Sequence, residues 1–315
     1  MKDYKDLRII FMGTPEFAVA SLDKLVTAGC NIVGVITSPD RPAGRGLQLQ
    51  QSAVKIYATE KGLHILQPDK LKNPGFIEEL KSLQADVQAV VAFRMLPEAV
   101  WNMPPLGTIN VHGSLLPQYR GAAPINWAVI NGEEYTGITT FKLQHEIDTG
   151  NILLAEKIKI EEDDTAGTVH DKLKNTGADL LLKTIKGLAE NTLKEIPQDN
   201  SEKTLKHAPK LNHETGNINW NKTVKEVYDL IRGLSPYPGA YTSLDEKIIK
   251  IFRAEKIYGG FESATDNYQT DGKNYLHFFC TDGFISIKEL QAAGKKRMDI
   301  KDFLRGYSFK NKPTQ

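Results

Sequence analysis

The sequence predicts an α/β protein: a doubly wound, mostly parallel, Rossmann-like sheet followed by a small β-barrel domain. Three observations carry that expectation. Apolar, β-branched runs alternate with helix-period segments through residues 1–190 of the 315. A polar stretch without apolar period, residues 191–208, interrupts the pattern. Beyond it the runs become short and closely spaced, with turn residues between them, as in a small barrel or sandwich.

Leu7–Met12 is an apolar run that stops at Gly13 and reads as a buried strand. Thr14 is placed to cap a helix with Pro15 at its first position, and Phe17, Val19, Leu22 and Leu25 supply its apolar face before Gly29 ends it. Asn31–Thr37 is a second strand, so the chain opens with a right-handed strand–helix–strand crossover. A helix near residues 52–61, a strand at 64–66 and a helix near 76–83 follow. Asp86–Ala92 is apolar enough for a central parallel strand. Strands at 108–112 and 137–143, a helix after Pro124 and a helix near 165–189 complete the first half. In the second half the β-like runs are 240–242, 248–251, 276–279 and 284–287, separated by turns such as Gly259-Gly260 and Asp282-Gly283. The expected domains are therefore 1–190 and 209–315, joined by a linker at 191–208.

Apolar residues make up 40% and charged residues 25%, which supports a packed core and excludes a disordered chain or a disulfide-built miniprotein. The two cysteines, Cys30 and Cys280, give neither a disulfide framework nor a metal-ligand spacing, and no carboxylate cage for a metal is visible. No apolar run approaches the ~20 residues of a transmembrane helix. Met1–Asp6 leads directly into the first strand without a signal or transit pattern. A soluble cytoplasmic protein is expected, with no membrane association and no obligate protein partner. From Lys206 onward there are 18 Lys/Arg against 13 Asp/Glu, a net of +5, whereas the preceding 205 residues carry 22 against 26. Such an asymmetry suits a polyanionic partner for the basic half, or it is scatter among surface charges.

The first strand–turn–helix does not suit a dinucleotide. Gly13-Thr14-Pro15-Glu16-Phe17-Ala18 lacks the second and third glycines, Pro15 removes an amide donor, and Glu16 puts an anion where pyrophosphate would lie. The densest polar constellation is Asn110-Val111-His112-Gly113-Ser114-Leu115-Leu116-Pro117. Asn110 and His112 are two apart on a strand and face the same way. At the carboxyl end of a parallel strand they would open into the crevice where such sheets bind ligands. Ile147-Asp148-Thr149-Gly150 adds a carboxylate in a turn, where a turn-forming role is the plain alternative. Together these residues suit acyl transfer to an amine. Asn110 and His112 would donate to an oxyanion, while Asp148 would keep the imidazole charged and relay a proton through water.

Asn110-x-His112-x-Ser114-Leu115-Leu116-Pro117, then Tyr119-Arg120-Gly121-Ala122-Ala123-Pro124, then Asp148-Thr149-Gly150 resemble the formyltransferases that use 10-formyl-tetrahydrofolate. Gly13–Ala18, Pro39–Gly46, Ile218-Asn219-Trp220 and Pro236–Ala240 extend the resemblance to members that formylate initiator methionyl-tRNA. The resemblance implies that Asn110, His112 and Asp148 are the catalytic trio. It implies that Ser114, Leu115, Leu116 and Pro117 line the folate site with backbone at Phe93, Arg94, Met95 and Leu96. It also implies that the loop 40–49 wedges against the tRNA acceptor end through Arg41 and Arg45, and that the second domain is an OB-like tRNA-binding barrel. Two departures stand out: Leu47-Gln48-Leu49-Gln50 follows Gly46 where related loops carry lysines, and Ala92–Pro97 is one residue shorter than the common pattern. Within the class, a formyltransferase acting on a nucleotide-linked amino sugar is the alternative.

Overall fold

A computed structural model describes residues 2–43, 48–199, 205–259 and 267–309. The first strand, β1 (Arg8–Gly13), is followed by helix α1 (Glu16–Thr27) and β2 (Asn31–Ile36). Next come the short strands β3 (Arg41–Ala43) and β4 (Gln48–Gln50), then α2 (Ala53–Glu60), β5 (Ile65–Leu66) and α3 (Pro74–Ser82). The central strand β6 (Val87–Val91), the short helix α4 (Glu98–Trp101) and β7 (Thr108–His112) lead to β8 (Arg120–Gly121) and α5 (Pro124–Ile130). Strands β9 (Tyr135–Lys142) and β10 (Ile152–Lys159) precede the long helix α6 (Ala166–Glu190).

Seven strands form one sheet in the order β10-β9-β7-β6-β1-β2-β5. β1, β2, β5, β6 and β7 pair in parallel, and β9 runs antiparallel to β7. From β1 the chain winds one way through β2 to β5, then crosses to the other side of β1 for β6 and β7. That reversal places a crevice outside the carboxyl ends of β1 and β6. All five residues of β6, and five of six in β1, are buried, as expected of strands covered on both faces. A Cβ at Gly13 would come within 2.6 Å of the Ala18 Cβ and 3.1 Å of the Val91 carbonyl oxygen. Glycine there lets the turn into α1 lie directly against β6.

Thr14 does not cap α1. The N-cap is Pro15 in an extended conformation, and the Thr14 hydroxyl instead pairs with the Ser38 hydroxyl at 3.0 Å. Cross-strand pairing with the β2 loop has taken the hydroxyl that capping would have used.

The remaining elements are β11 (His207–Ala208), α7 (Val224–Gly233), β12 (Ala240–Leu244), β13 (Lys247–Tyr258), β14 (Tyr268–Thr270), β15 (Leu276–Phe279), β16 (Gly283–Ala292), β17 (Met298–Asp299) and α8 (Ile300–Gly306). The expected barrel is a curled antiparallel sheet in the order β12-β13-β16-β15-β14, with β17 on β16. Among the described residues no ladder joins β14 to β12. Register shifts between Ile251 and Ala254 bend the β13–β16 pair. The expectation of short strands alone missed α7, whose apolar Val224, Val227 and Ile231 are buried on one face. Its signal is Thr223 with Glu226 three residues on, a reciprocal capping box.

The chain forms two compact units: residues 1–121, 136–158 and 170–207 in one, and 122–135, 159–169 and 208–315 in the other. Two segments from the first half thus belong with the C-terminal unit. Asn126 on α5 donates to the Gly233 carbonyl at 2.8 Å, and Arg232 donates to the Asp164 carbonyl at 3.0 Å. Side chains distant in sequence make those assignments, and no composition shift marks them.

Candidate active site

Strand β7 carries Asn110 opposite Val90 of β6, and His112 opposite Thr139 of β9. Both lie at the carboxyl end of β7, beside the segment 92–97 that leaves the carboxyl end of β6. The His112 ring is 7% exposed and meets Phe141 edge-on at 6.4 Å. Its Nε2 lies 2.9 Å from the Tyr119 carbonyl oxygen and must carry a proton to bond it. Its Nδ1 lies 3.8 Å from Asp148 Oδ2, beyond a direct hydrogen bond. Among the described residues the half-buried Asn110 amide has no hydrogen-bond partner. Asn110 is therefore the donor ready for a substrate oxygen, whereas His112 would have to exchange Tyr119 for one.

Asp148 reaches this position by a return of the chain. Strand β9 ends with Lys142 opposite Ile109, and the loop 143–151 folds back to His112. Asp148 is 9% exposed, adopts the left-handed conformation (φ 56°), and its Oδ2 accepts the Gly121 N–H at 2.9 Å. Two residues on, a Cβ at Gly150 would come within 1.6 Å of the Lys142 carbonyl oxygen. Gly150→Ala should therefore force the turn off β9 and lower stability by roughly 3 kcal/mol, the upper range for overpacking. Chemical denaturation reads this; an unchanged midpoint would show that the turn relaxes freely.

The residues expected to line the folate site differ in their surroundings. Arg94 donates to the Pro68 and Asp69 carbonyls, tying its loop to the end of β5, and burial together with the Arg41 charge holds its guanidinium below the usual range. Leu96 is buried, Phe93 is half-buried against the core, and Met95 is 75% exposed. Ser114 is fully buried and donates to the Gln118 carbonyl at 2.6 Å, and the Leu116 N–H donates to the Thr139 hydroxyl at 3.2 Å. Ser114 and Leu116 thus shape the loop, while Leu115 and Pro117 are half-buried beside them.

Arg41 is exposed on β3, and Arg45 lies outside the described residues. The loop 40–49 begins and ends in an antiparallel ladder that pairs Arg41 with Gln50 and Pro42 with Leu49. Asp40 does not hold Arg41. Its carboxylate is engaged by Lys55 at 2.5 Å and by Gln67 at 2.8 Å, and the Lys55 bond above all holds it below the usual carboxylate range.

The linker reading of 191–208 missed a site contact. Ile196 exchanges both backbone hydrogen bonds with Ile152, and the buried Gln198 carboxamide donates to the carbonyls of Asp148 and Gly150. Nothing in the local sequence marks Gln198, because its partners are 48 and 50 residues away. Among the described residues no three His, Cys, Asp or Glu side chains are grouped to hold a metal ion, and no helix is long and apolar enough to cross a membrane.

The chain matches the Formyl transferase family over residues 7–185 and the Formyl transferase, C-terminal domain over 210–308. It is 53% identical over 310 residues to the methionyl-tRNA formyltransferase of Bacteroides thetaiotaomicron, covering 96% of each chain. It is 56% identical over 312 residues to that of Phocaeicola vulgatus, again covering 96% of each. In fold it resembles the N-formyltransferase of Helicobacter canadensis in complex with folinic acid and dTDP-3-aminofucose, with a TM-score of 0.67, 21% identity, and coverage of 93% of this chain and 100% of that one. With identity above half along nearly its whole length, and both domains matched, the chain belongs to the methionyl-tRNA formyltransferase family.

Proposed function

We propose that this chain transfers the formyl group of 10-formyl-tetrahydrofolate to the free α-amine of methionyl initiator tRNA in the cytoplasm, giving formylmethionyl-tRNA for translation initiation. The observation that supports this most is the uncommitted Asn110 amide beside the His112–Asp148 pair at the carboxyl end of β7. The substrate amine attacks the formyl carbon, a C–N bond forms, and the carbonyl oxygen becomes an oxyanion. Collapse breaks the bond to the folate nitrogen, which leaves with the proton that Asp148 has taken from the amine and returns through water. Asn110 donates to the oxyanion as charge develops. His112 joins it by giving up the Tyr119 carbonyl, and Asp148 balances the imidazolium and accepts the amine proton through water. No side-chain nucleophile is required.

Loops 93–96 and 114–117 leave the ends of adjacent parallel strands, so they suit one ligand, the folate. In this reading Met95, Phe93, Leu115 and Pro117 offer apolar surface, and Arg94, Ser114, Leu116 and Leu96 hold the loops in shape. The unit of residues 1–121, 136–158 and 170–207 carries catalysis, the C-terminal unit binds tRNA, and Arg41 and Arg45 meet the acceptor end.

The deciding assay supplies 10-formyl-tetrahydrofolate with either initiator methionyl-tRNA or a nucleotide-linked amino sugar. Formylation of the tRNA alone is expected; formylation of the sugar alone would replace the reading. The basic C-terminal half adds a second expectation. For about three phosphate contacts, affinity for methionyl-tRNA should fall about 40-fold between ~50 and ~200 mM salt, while formyl-folate binding changes little. A salt-independent tRNA affinity would contradict the charge argument.

A further inference from the structure

We propose that the segment joining α6 to the C-terminal unit is part of the catalytic apparatus, with Gln198 a positioning residue that sets the Asp148 carboxylate through the backbone of its turn. This rests on the formyl-transfer reading and adds to it a residue outside the catalytic trio.

The Gln198 side chain is 9% exposed, and its carboxamide is fully engaged. Its Nε2 donates to the Asp148 and Gly150 carbonyls, each at 2.8 Å, and its Oε1 accepts from the Arg120 guanidinium twice, from Nε at 3.0 Å and Nη2 at 2.5 Å. The two carbonyls need donors and the guanidinium needs an acceptor, so the amide has one workable orientation. Asp148 holds a left-handed backbone, uncommon outside glycine and sustained only where the surroundings fix it. Its carboxylate meanwhile accepts from Gly121, the neighbour of Arg120. Gln198, Asp148, Gly121 and Arg120 thus close a hydrogen-bonded circuit around the turn. Ile196, paired through both backbone bonds with Ile152, anchors the segment just before it.

Lys206 reaches the other member of the pair. The Lys206 carbonyl accepts the Tyr119 N–H at 2.6 Å, and the Lys206 N–H donates to the Gln118 side chain at 2.8 Å. Tyr119 in turn presents its carbonyl to His112 Nε2. Gln198 therefore holds Asp148, and Lys206 holds His112 through Tyr119.

Gln198→Met in the full-length chain keeps the length of the side chain and removes all four hydrogen bonds. Turnover of methionyl-tRNA should fall roughly 30-fold, with KM for either substrate within about 2-fold, as for a group that acts only on transition-state geometry. Gln198→Glu keeps an ion pair to Arg120, and with it the fold, but brings an oxygen without a proton to the two carbonyls; the same loss of kcat is expected. If Gln198 acts through Asp148, the double variant Gln198→Met with Asp148→Asn should turn over within about 2-fold of Asp148→Asn alone. Wild-type kcat in either Gln198 variant, a change confined to KM, or losses that multiply in the double variant would overturn the proposal. Failure of the unmodified chain to formylate methionyl-tRNA would instead overturn the functional reading on which it rests.

Discussion

Replacing Asp148 by Asn is expected to lower kcat for formyl transfer by about 10³-fold, within the range for loss of a positioned acid–base group. The substitution isolates the charge. Asn is among the few side chains that tolerate the left-handed backbone Asp148 adopts, and its amide oxygen can still accept the Gly121 N–H. The carboxylate 3.8 Å from His112 Nδ1 is lost, and with it the partner for a positive imidazole and the acceptor for the amine proton. KM for 10-formyl-tetrahydrofolate should change little, because loops 93–96 and 114–117 are untouched. Steady-state kinetics separates the two parameters; a raised KM with full turnover at saturation would make Asp148 a binding residue.

His112→Ala should cost 10²-fold or more in kcat. Two effects combine, since the ring is both the partner of Asp148 and the second donor available to an oxyanion. The variant also strips the Tyr119 carbonyl of its hydrogen bond and leaves a space against Phe141, so a loss of about 2 kcal/mol in stability should accompany the kinetic loss. Comparing kcat with the denaturation midpoint distinguishes them: a folded variant with near-normal turnover would remove His112 from the mechanism.

Much of the site was legible because its parts are local. Asn110 and His112 are two residues apart on one strand, so their common face follows from strand geometry. Parallel pairing puts the end of β7 beside the loop after β6, so loops 93–96 and 114–117, which the family resemblance had implied together, leave adjacent strands. The capping box at Thr223 and Glu226 was equally present in the sequence, and it marks the helix that a reading by short apolar runs passes over.

What the sequence by itself determined is the parallel core, the change to antiparallel strands after residue 208, and the identity of the polar groups on β7, because strand and helix periods are short and each residue reports its own environment. Only the tertiary structure decided that Asp148 folds back from β9 to His112, that Tyr119 occupies the imidazole Nε2, and that Gln198 bonds the turn that carries Asp148. Segments 122–135 and 159–169 joined the C-terminal unit on the same terms. All of these outcomes except the Tyr119 contact depend on groups tens of residues apart, and a backbone carbonyl offers the same acceptor whatever its side chain. No residue pattern could therefore have named the partners before the chain closed around them.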